Sequence, residues 1–259
     1  MLDVGQGLFA VVQTANHVLV YDTGAKFSTT SDSGQSVVSP FLRSQRIEKV
    51  SNLVVSYGDN GHIGGVAFVL GTIETGNILT SVPQQLGDYS PIQCKAGQSW
   101  TWDKVKFSIL SPKPANLLSD NDNSCVLQIQ AQHGTALLTG DIEEAAESWL
   151  VETYQDKLKA DVLISPHYDS QTSSTSAFIT AVQPDTVLIQ AGYRNQFGHP
   201  HQDILQRYRD LHIRSFNNSR DGSIGVTIDN GIKIETWPAT EGRYSNNVAS
   251  SLISKGSSH

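Results

Sequence analysis

Residues 53–65 read Leu53-Val54-Val55-Ser56-Tyr57-Gly58-Asp59-Asn60-Gly61-His62-Ile63-Gly64-Gly65, an apolar run that opens into a loop carrying a phenol, a carboxylate and an imidazole. A buried strand that ends in a polar loop is where an α/β protein places its chemistry, because the sheet holds rigid what the loop exposes. Asp59 and His62, three residues apart, have the donor types to converge on one metal ion. Alone, such a pair more often makes a turn-stabilising hydrogen bond. The pattern repeats, however: Asp22, Asp59, His62, Asp141, His167 and His199 all follow apolar runs that read as strands. Taken singly, Asp141 is better explained as the N-cap of the helix after it. Taken together, the six point to one shared rim.

The elements that would carry this rim are legible from periodicity. Residues 8–12 and 18–22 are two apolar runs around a turn at Asn16, which predicts a hairpin, with His17 as a turn residue. The Ser/Thr-rich stretch 26–35 reads as an exposed loop, and 37–46 has helical spacing with Pro40 near its start. Strands are expected at 53–56, 78–80, 105–110, 125–129, 135–138, 162–165, 187–190, 213–216 and 224–228. Helices are expected at 66–70, 142–150, 175–182 and 203–211, a helical turn at 83–86, and a turn at 97–102. No repeat of fixed period is present.

The chain has 259 residues, 38% of them apolar and 17% charged, which is ordinary for a soluble globular protein. No apolar run approaches the roughly 18–20 residues of a membrane helix, and Leu2-Asp3-Val4-Gly5 reads as structure rather than as a signal peptide. A net charge of −7 argues against a broadly basic nucleic-acid binder. Arg194, Arg207, Arg209, Arg214 and Arg220 nevertheless crowd one window, and either a solvated helix face or a phosphate-facing patch accounts for them. Cys94 and Cys125 lack zinc-motif spacing; they could pair in an oxidising compartment or stay as buried thiols. One domain over residues 1–238 is expected, followed by a polar tail, 239–259, whose last five residues resemble the start of a purification tag.

The motifs Asp3-Val4-Gly5-Gln6-Gly7, Tyr21-Asp22-Thr23-Gly24, Asp59…His62-Ile63-Gly64-Gly65, Leu138-Thr139-Gly140-Asp141 and Pro166-His167…Ser170 occur in the order that resembles a metallo-β-lactamase-fold hydrolase. With Asn195-Gln196-Phe197-Gly198-His199-Pro200-His201 and Asp221-Gly222, the resemblance narrows to the C-terminal domain of the ComEC competence channel. It spans residues 2–235. It implies an αββα sandwich with a metal site on the edge where two sheets meet. It also implies an inner-membrane protein with this domain outside the cytoplasm, and the task of hydrolysing the DNA strand that is not imported.

The departures from that family are specific. Its Ser-His-x-Asp-x-Asp-His-x-Gly-Gly motif has Tyr57 for a histidine and Gly61 for an aspartate, and its His-His-Gly-Ser has Tyr168 and Asp169 for the inner pair. Asp59, His62, Asp141 and His167 survive as metal ligands by resemblance, with His199 near the scissile position. A two-metal hydrolase needs paired ions with about three protein ligands each plus an open position. Four groups furnish at most one weakly bound divalent ion, Mn or Zn. Tyr57 and Tyr168 would ligate only as phenolates, from a pKa of about 10. They are expected instead to plug the old site and to donate to Asp59 and Asp141, which would otherwise repel each other.

The function expected is therefore a noncatalytic or strongly impaired nuclease-like domain of a DNA-uptake channel. It would contact single-stranded DNA weakly through Arg194, Asn195, His201, Arg207, Arg214 and Arg220. An active one-metal DNA phosphodiesterase and a metallohydrolase of small esters or lactones are the alternatives, since fold alone fixes no substrate.

Overall fold

The structure is a computed structural model and describes residues 1–5, 7–113, 119–192 and 199–237; Arg194, Asn195 and the 239–259 tail lie outside them. The expected hairpin is β1 (Ala10–Gln13) with β2 (Val18–Tyr21), antiparallel about the 14–17 turn. The Ser/Thr-rich stretch is more ordered than its composition suggests. It forms a small hairpin, β3 (Lys26–Ser28) with β4 (Ser31–Asp32), then a π-helical turn that runs into α1 (Ser39–Ser44). Next come β5 (Lys49–Val55), α2 (Asn60–Ile63), α3 (Val66–Thr72), β6 (Glu74–Thr80) and the two-residue β7 (Ile92–Gln93). Strands β8 (Ser99–Trp102), β9 (Val105–Ser111), β10 (Val126–Ala131) and β11 (Gly134–Leu138) follow as an antiparallel run. Then helix and strand alternate through α4 (Glu144–Tyr154), β12 (Val162–Ile164), α5 (Ser176–Val182), β13 (Thr186–Ile189), α6 (Gln202–Asp210), β14 (Arg214–Asn217) and α7 (Asn218–Asp221). A last hairpin, β15 (Ser223–Ile228) with β16 (Ile232–Trp237), follows.

Two sheets result, β1-β2-β5-β6-β7 and β14-β13-β12-β11-β10-β9-β8. Side chains alternate across each strand and so sort into separate cores. Leu19, Tyr21, Val54, Leu138, Val162, Ile164 and Leu188 point into the space between the sheets. Their neighbours Val20, Leu53 and Val55 face outward and are covered by α1 and α3. Leu137, Leu163, Val187 and Ile189 are covered by α4, α5 and α6. The layering is αββα, as the resemblance implies.

The 97–102 stretch is a strand rather than a turn. Trp100 and Trp102 alternate with exposed Ser99 and Thr101, and Trp100 stacks on Phe107 of β9 at 5.4 Å. Aromatic packing against β9 holds it as an edge strand. Cys94, after β7, and Cys125, before β10, are disulfide-bonded and so join the two sheets. At a separate point of the sandwich His17 is more than a turn residue: its ring stacks on Trp102 and its Nδ1 lies 3.1 Å from Asp103.

Strands β2, β5 and β6 run parallel in one sheet, and β11 to β14 in the other. Their carboxyl ends therefore present loops on a common edge of each sheet, which is where α/β folds bind ligands.

Candidate functional site

The centre is built around His62. β2 ends at Tyr21, and Asp22 then turns through φ 58°, a left-handed conformation that Asp tolerates better than most residues. The turn aims its carboxylate across to the end of β5. There Ser56 donates its backbone N–H to Oδ1 at 2.7 Å and its hydroxyl to Oδ2 at 2.6 Å. Asp59 opens α2, its carbonyl accepting from His62 N and Ile63 N, and this single turn carries the imidazole inward until it is fully buried. Gly64 is required here, because a Cβ on it would meet the backbone of Ala25 and Lys26. Both nitrogens of His62 reach carboxylates: Nδ1 donates to Asp22 Oδ2 at 2.8 Å and Nε2 to Asp141 Oδ2 at 3.0 Å. Burial opposes a charge on the ring, but Asp141 and Asp22 outweigh it and hold the imidazolium well above the ordinary histidine range.

Asp141 reaches this point from the end of β11 through Gly140, with its N–H on Ser124 Oγ at 3.2 Å. It is not the cap of α4. That role falls to Asp122, whose Oδ1 accepts from Glu143 N and Ala146 N at 2.8 and 3.1 Å.

From β12 the chain enters Pro166-His167-Tyr168-Asp169, where three successive non-glycine residues are left-handed, at φ 46°, 54° and 58°. Each costs about 1–2 kcal/mol, so the turn must be held from outside. Asp169 does this from full burial: its Oδ1 accepts from Tyr208 at 2.7 Å and from Ser174 at 2.8 Å, while its carbonyl accepts from His201 N at 3.0 Å. Burial pushes the Asp169 carboxyl up to about 7, against the hydrogen bonds from Tyr208 and Ser174.

The turn drives Tyr168 into the cleft, where its hydroxyl lies 3.0 Å from His62 Nε2. The sequence led to a phenol on a carboxylate, and the partner is the imidazole instead. Burial, then Asp141, Asp22 and Asp59, push this phenol well above its usual range, so it is neutral.

The other expected site residues separate by position. His167 turns to Glu143, Nδ1 to Oε1 at 3.1 Å, and that oxygen also accepts from Thr172 at 2.6 Å. The His199 ring lies 5.9 Å from that of His167 and stacks at 6.4 Å on Tyr168; burial and then His167 push its pKa down. Tyr57 is half-buried with its ring 5.9 Å from that of His62; burial, then Asp120, Asp59, Asp141 and Glu143, push its phenol up to about 12. Asp59 is exposed, and what sits against Asp141 is His62.

Among the described residues, the window's arginines have partners within the fold. Arg207 donates to the Ser174 carbonyl at 2.9 Å, and Arg220 is paired with Asp221 at 2.8 Å. Arg214 opens β14 opposite Thr186, at the end of the strand away from the rim. His201 caps α6, accepting from Asp203 N. Asp22, Ser56 and Glu143 belong to the site although only Asp22 carried a signal, as a carboxylate at a strand end.

A parallel-ended αββα sandwich with histidines and aspartates on its edge defines a class, and residues 2–193 match the Metallo-beta-lactamase superfamily; the chain belongs to it. Within that class it is similar to Competence protein ComA of Neisseria gonorrhoeae, 34% identical over 229 residues that cover 88% of this chain and 32% of that protein. It is also similar to Recombination protein 2 of Haemophilus influenzae, 30% identical over 87% of this chain and 28% of that protein. ComE operon protein 3 of Bacillus subtilis is 28% identical over 90% of this chain and 33% of that protein. The chain thus spans about a third of the length of the curated relatives it matches. Among solved structures, a putative metal-dependent hydrolase from Parabacteroides distasonis matches with TM-score 0.55 and 12% identity, covering 84% of this chain and 91% of that one. The metallo hydrolase Igni18 from Ignicoccus hospitalis matches at 0.53 and 11%, covering 92% and 98%. This is a metallo-β-lactamase-fold domain related to competence proteins.

The described residues do not fit the metal pair of the fold. Gly61 has no donor, and the buried Tyr168 hydroxyl stands 3.0 Å from His62 Nε2, on the ring nitrogen that would face an ion. Among the described residues no three His, Cys, Asp or Glu side chains group as one ion requires.

Proposed function

We propose that this is the nuclease-like domain of a ComEC-type DNA-internalisation protein, noncatalytic or strongly impaired, kept for its architecture beside a membrane channel. The observation that carries the reading is the buried Tyr168 hydroxyl 3.0 Å from His62 Nε2, beside a glycine at 61 that offers no donor. In-line displacement at a phosphodiester needs paired ions to clamp the attacking and leaving oxygens. The Tyr168 hydroxyl lies on the nitrogen of His62 that would have to face such an ion. The similarity to competence proteins supports the cellular setting.

Its partners are the remainder of the membrane protein and, weakly, single-stranded DNA. Asp120, Asp59, Asp141 and Glu143 all act electrostatically on Tyr57, and a net charge of −7 adds to the repulsion of phosphate. The Cys94–Cys125 disulfide supports a place outside the cytoplasm, where thiols oxidise. No helix of the described residues is long and apolar enough to cross a membrane.

The test is a manganese-dependent nuclease assay on the unchanged protein beside the triple variant Tyr57→His, Gly61→Asp, Tyr168→His. Cleavage in the repaired protein alone is the expected result. Brisk, chelator-sensitive cleavage by the unchanged protein overturns the reading.

A further inference from the structure

Gly61 and Tyr168 lie far apart in the chain and share one volume. A Cβ built on Gly61 would stand 2.7 Å from the Tyr168 hydroxyl oxygen, nearer than real Cβ atoms come to anything. That hydroxyl cannot swing away cheaply. Tyr168 is buried, its oxygen rests on His62 Nε2 at 3.0 Å, and its backbone is left-handed on both sides. Asp169 fixes the turn behind it through Tyr208 and Ser174. The tip of residue 168 therefore stands in the space that a side chain on residue 61 would enter.

We propose that Gly61 and Tyr168 are one coupled exchange, in which the Tyr168 hydroxyl occupies the place of a residue-61 side chain and closes the His62 centre to a metal ion. The proposal rests on the noncatalytic reading and goes further, because it names the residue that blocks the site. Restoring a carboxylate at 61 then restores nothing while Tyr168 stays, since the two groups need the same space. Asp169 is the positioning residue for the plug, since it holds the turn that carries Tyr168.

Two measurements on the full chain test this. The first is a thermal cycle with Gly61→Ala and Tyr168→Phe. Overpacking of the buried hydroxyl should lower the Tm by roughly 5 °C in the protein with Tyr168 and by no more than about 2 °C in the Tyr168→Phe background, where the colliding atom is gone. Failure of Gly61→Ala to fold, with recovery in the double variant, supports the same conclusion; additive losses overturn it. The second is calorimetric titration with Mn²⁺ of Tyr57→His/Gly61→Asp against the triple variant that also carries Tyr168→His. The expected result is uptake at least about tenfold tighter once Tyr168 is replaced, about 1.4 kcal/mol. Equal uptake with Tyr168 in place removes this proposal and leaves the noncatalytic reading standing. Stoichiometric uptake of two ions by the unchanged protein removes both.

Discussion

The imidazole of His62 is flanked by two carboxylates, both of them buried, and removing either charge leaves the ring against an unmatched partner. Breaking one side of a buried pair costs more than the pair contributes when whole, typically about 3–5 kcal/mol. Asp22→Asn should therefore lower the urea-unfolding free energy by about that amount, because Ser56 and His62 both donate to the carboxylate it removes. The matching change at exposed Asp203 should stay within about 0.5 kcal/mol. Asp22 was legible as a carboxylate at a strand end, and Tyr168 as a departure from a family motif. That the phenol meets an imidazole was not legible. Contact between residues 62 and 168 depends on the three left-handed residues of the 167–169 turn, and no propensity scale reports that conformation for His-Tyr-Asp.

At the scale of elements, the Cys94–Cys125 disulfide joins β7 of one sheet to β10 of the other across a sequence separation of 31. The chain-entropy relation for a loop of that size gives about 3–4 kcal/mol. The double change Cys94→Ser/Cys125→Ser should lose that much in denaturant titration, with secondary structure by circular dichroism retained. Glu147 ties α4 to the start of α5: its carboxyl accepts from Ser174 N at 2.6 Å and Thr175 N at 2.8 Å. Burial outweighs the bonds from Thr175 and Ser174 and pushes it from an ordinary 4.5 up to about 7. The folded state thus holds a proton that the unfolded chain releases, so this contribution is complete below about pH 4.5 and is lost as pH rises through about 7. Asp169 acts in the same direction. Urea midpoints should fall between pH 5 and 7.5, and Glu147→Gln should flatten the fall by about half while losing one backbone bond, about 1–3 kcal/mol at low pH. Persistence of the full slope in the variant would contradict the assignment. The sequence showed α4 and α5 by their periodicity. It did not show β7 or β8, because a two-residue edge strand has no period and Trp100 and Trp102 find their face through long-range packing on Phe107.

For the whole molecule, alternation along β2, β5, β12 and β13 sorts residues between an inner and two outer cores, and this sorting is the physical basis of the αββα layering that the family resemblance implies. Within the arginine window, α6, β14 and α7 are consecutive, and Arg207, Arg214 and Arg220 each have a partner inside the fold. With net charge −7, binding of a fluorescent single strand of DNA at physiological salt should be no tighter than the weak end of non-specific binding, about 10⁻⁴ M, with only a shallow dependence on salt. A steep salt slope would show phosphate contacts and contradict this expectation. The most direct measurement on the site is a crystal of the unchanged protein soaked in manganese and read by anomalous scattering. The expected map has no peak between His62, Asp141 and Tyr168, with the phenol still on the imidazole. Two fully occupied ions at that point, with Tyr168 displaced, would contradict it.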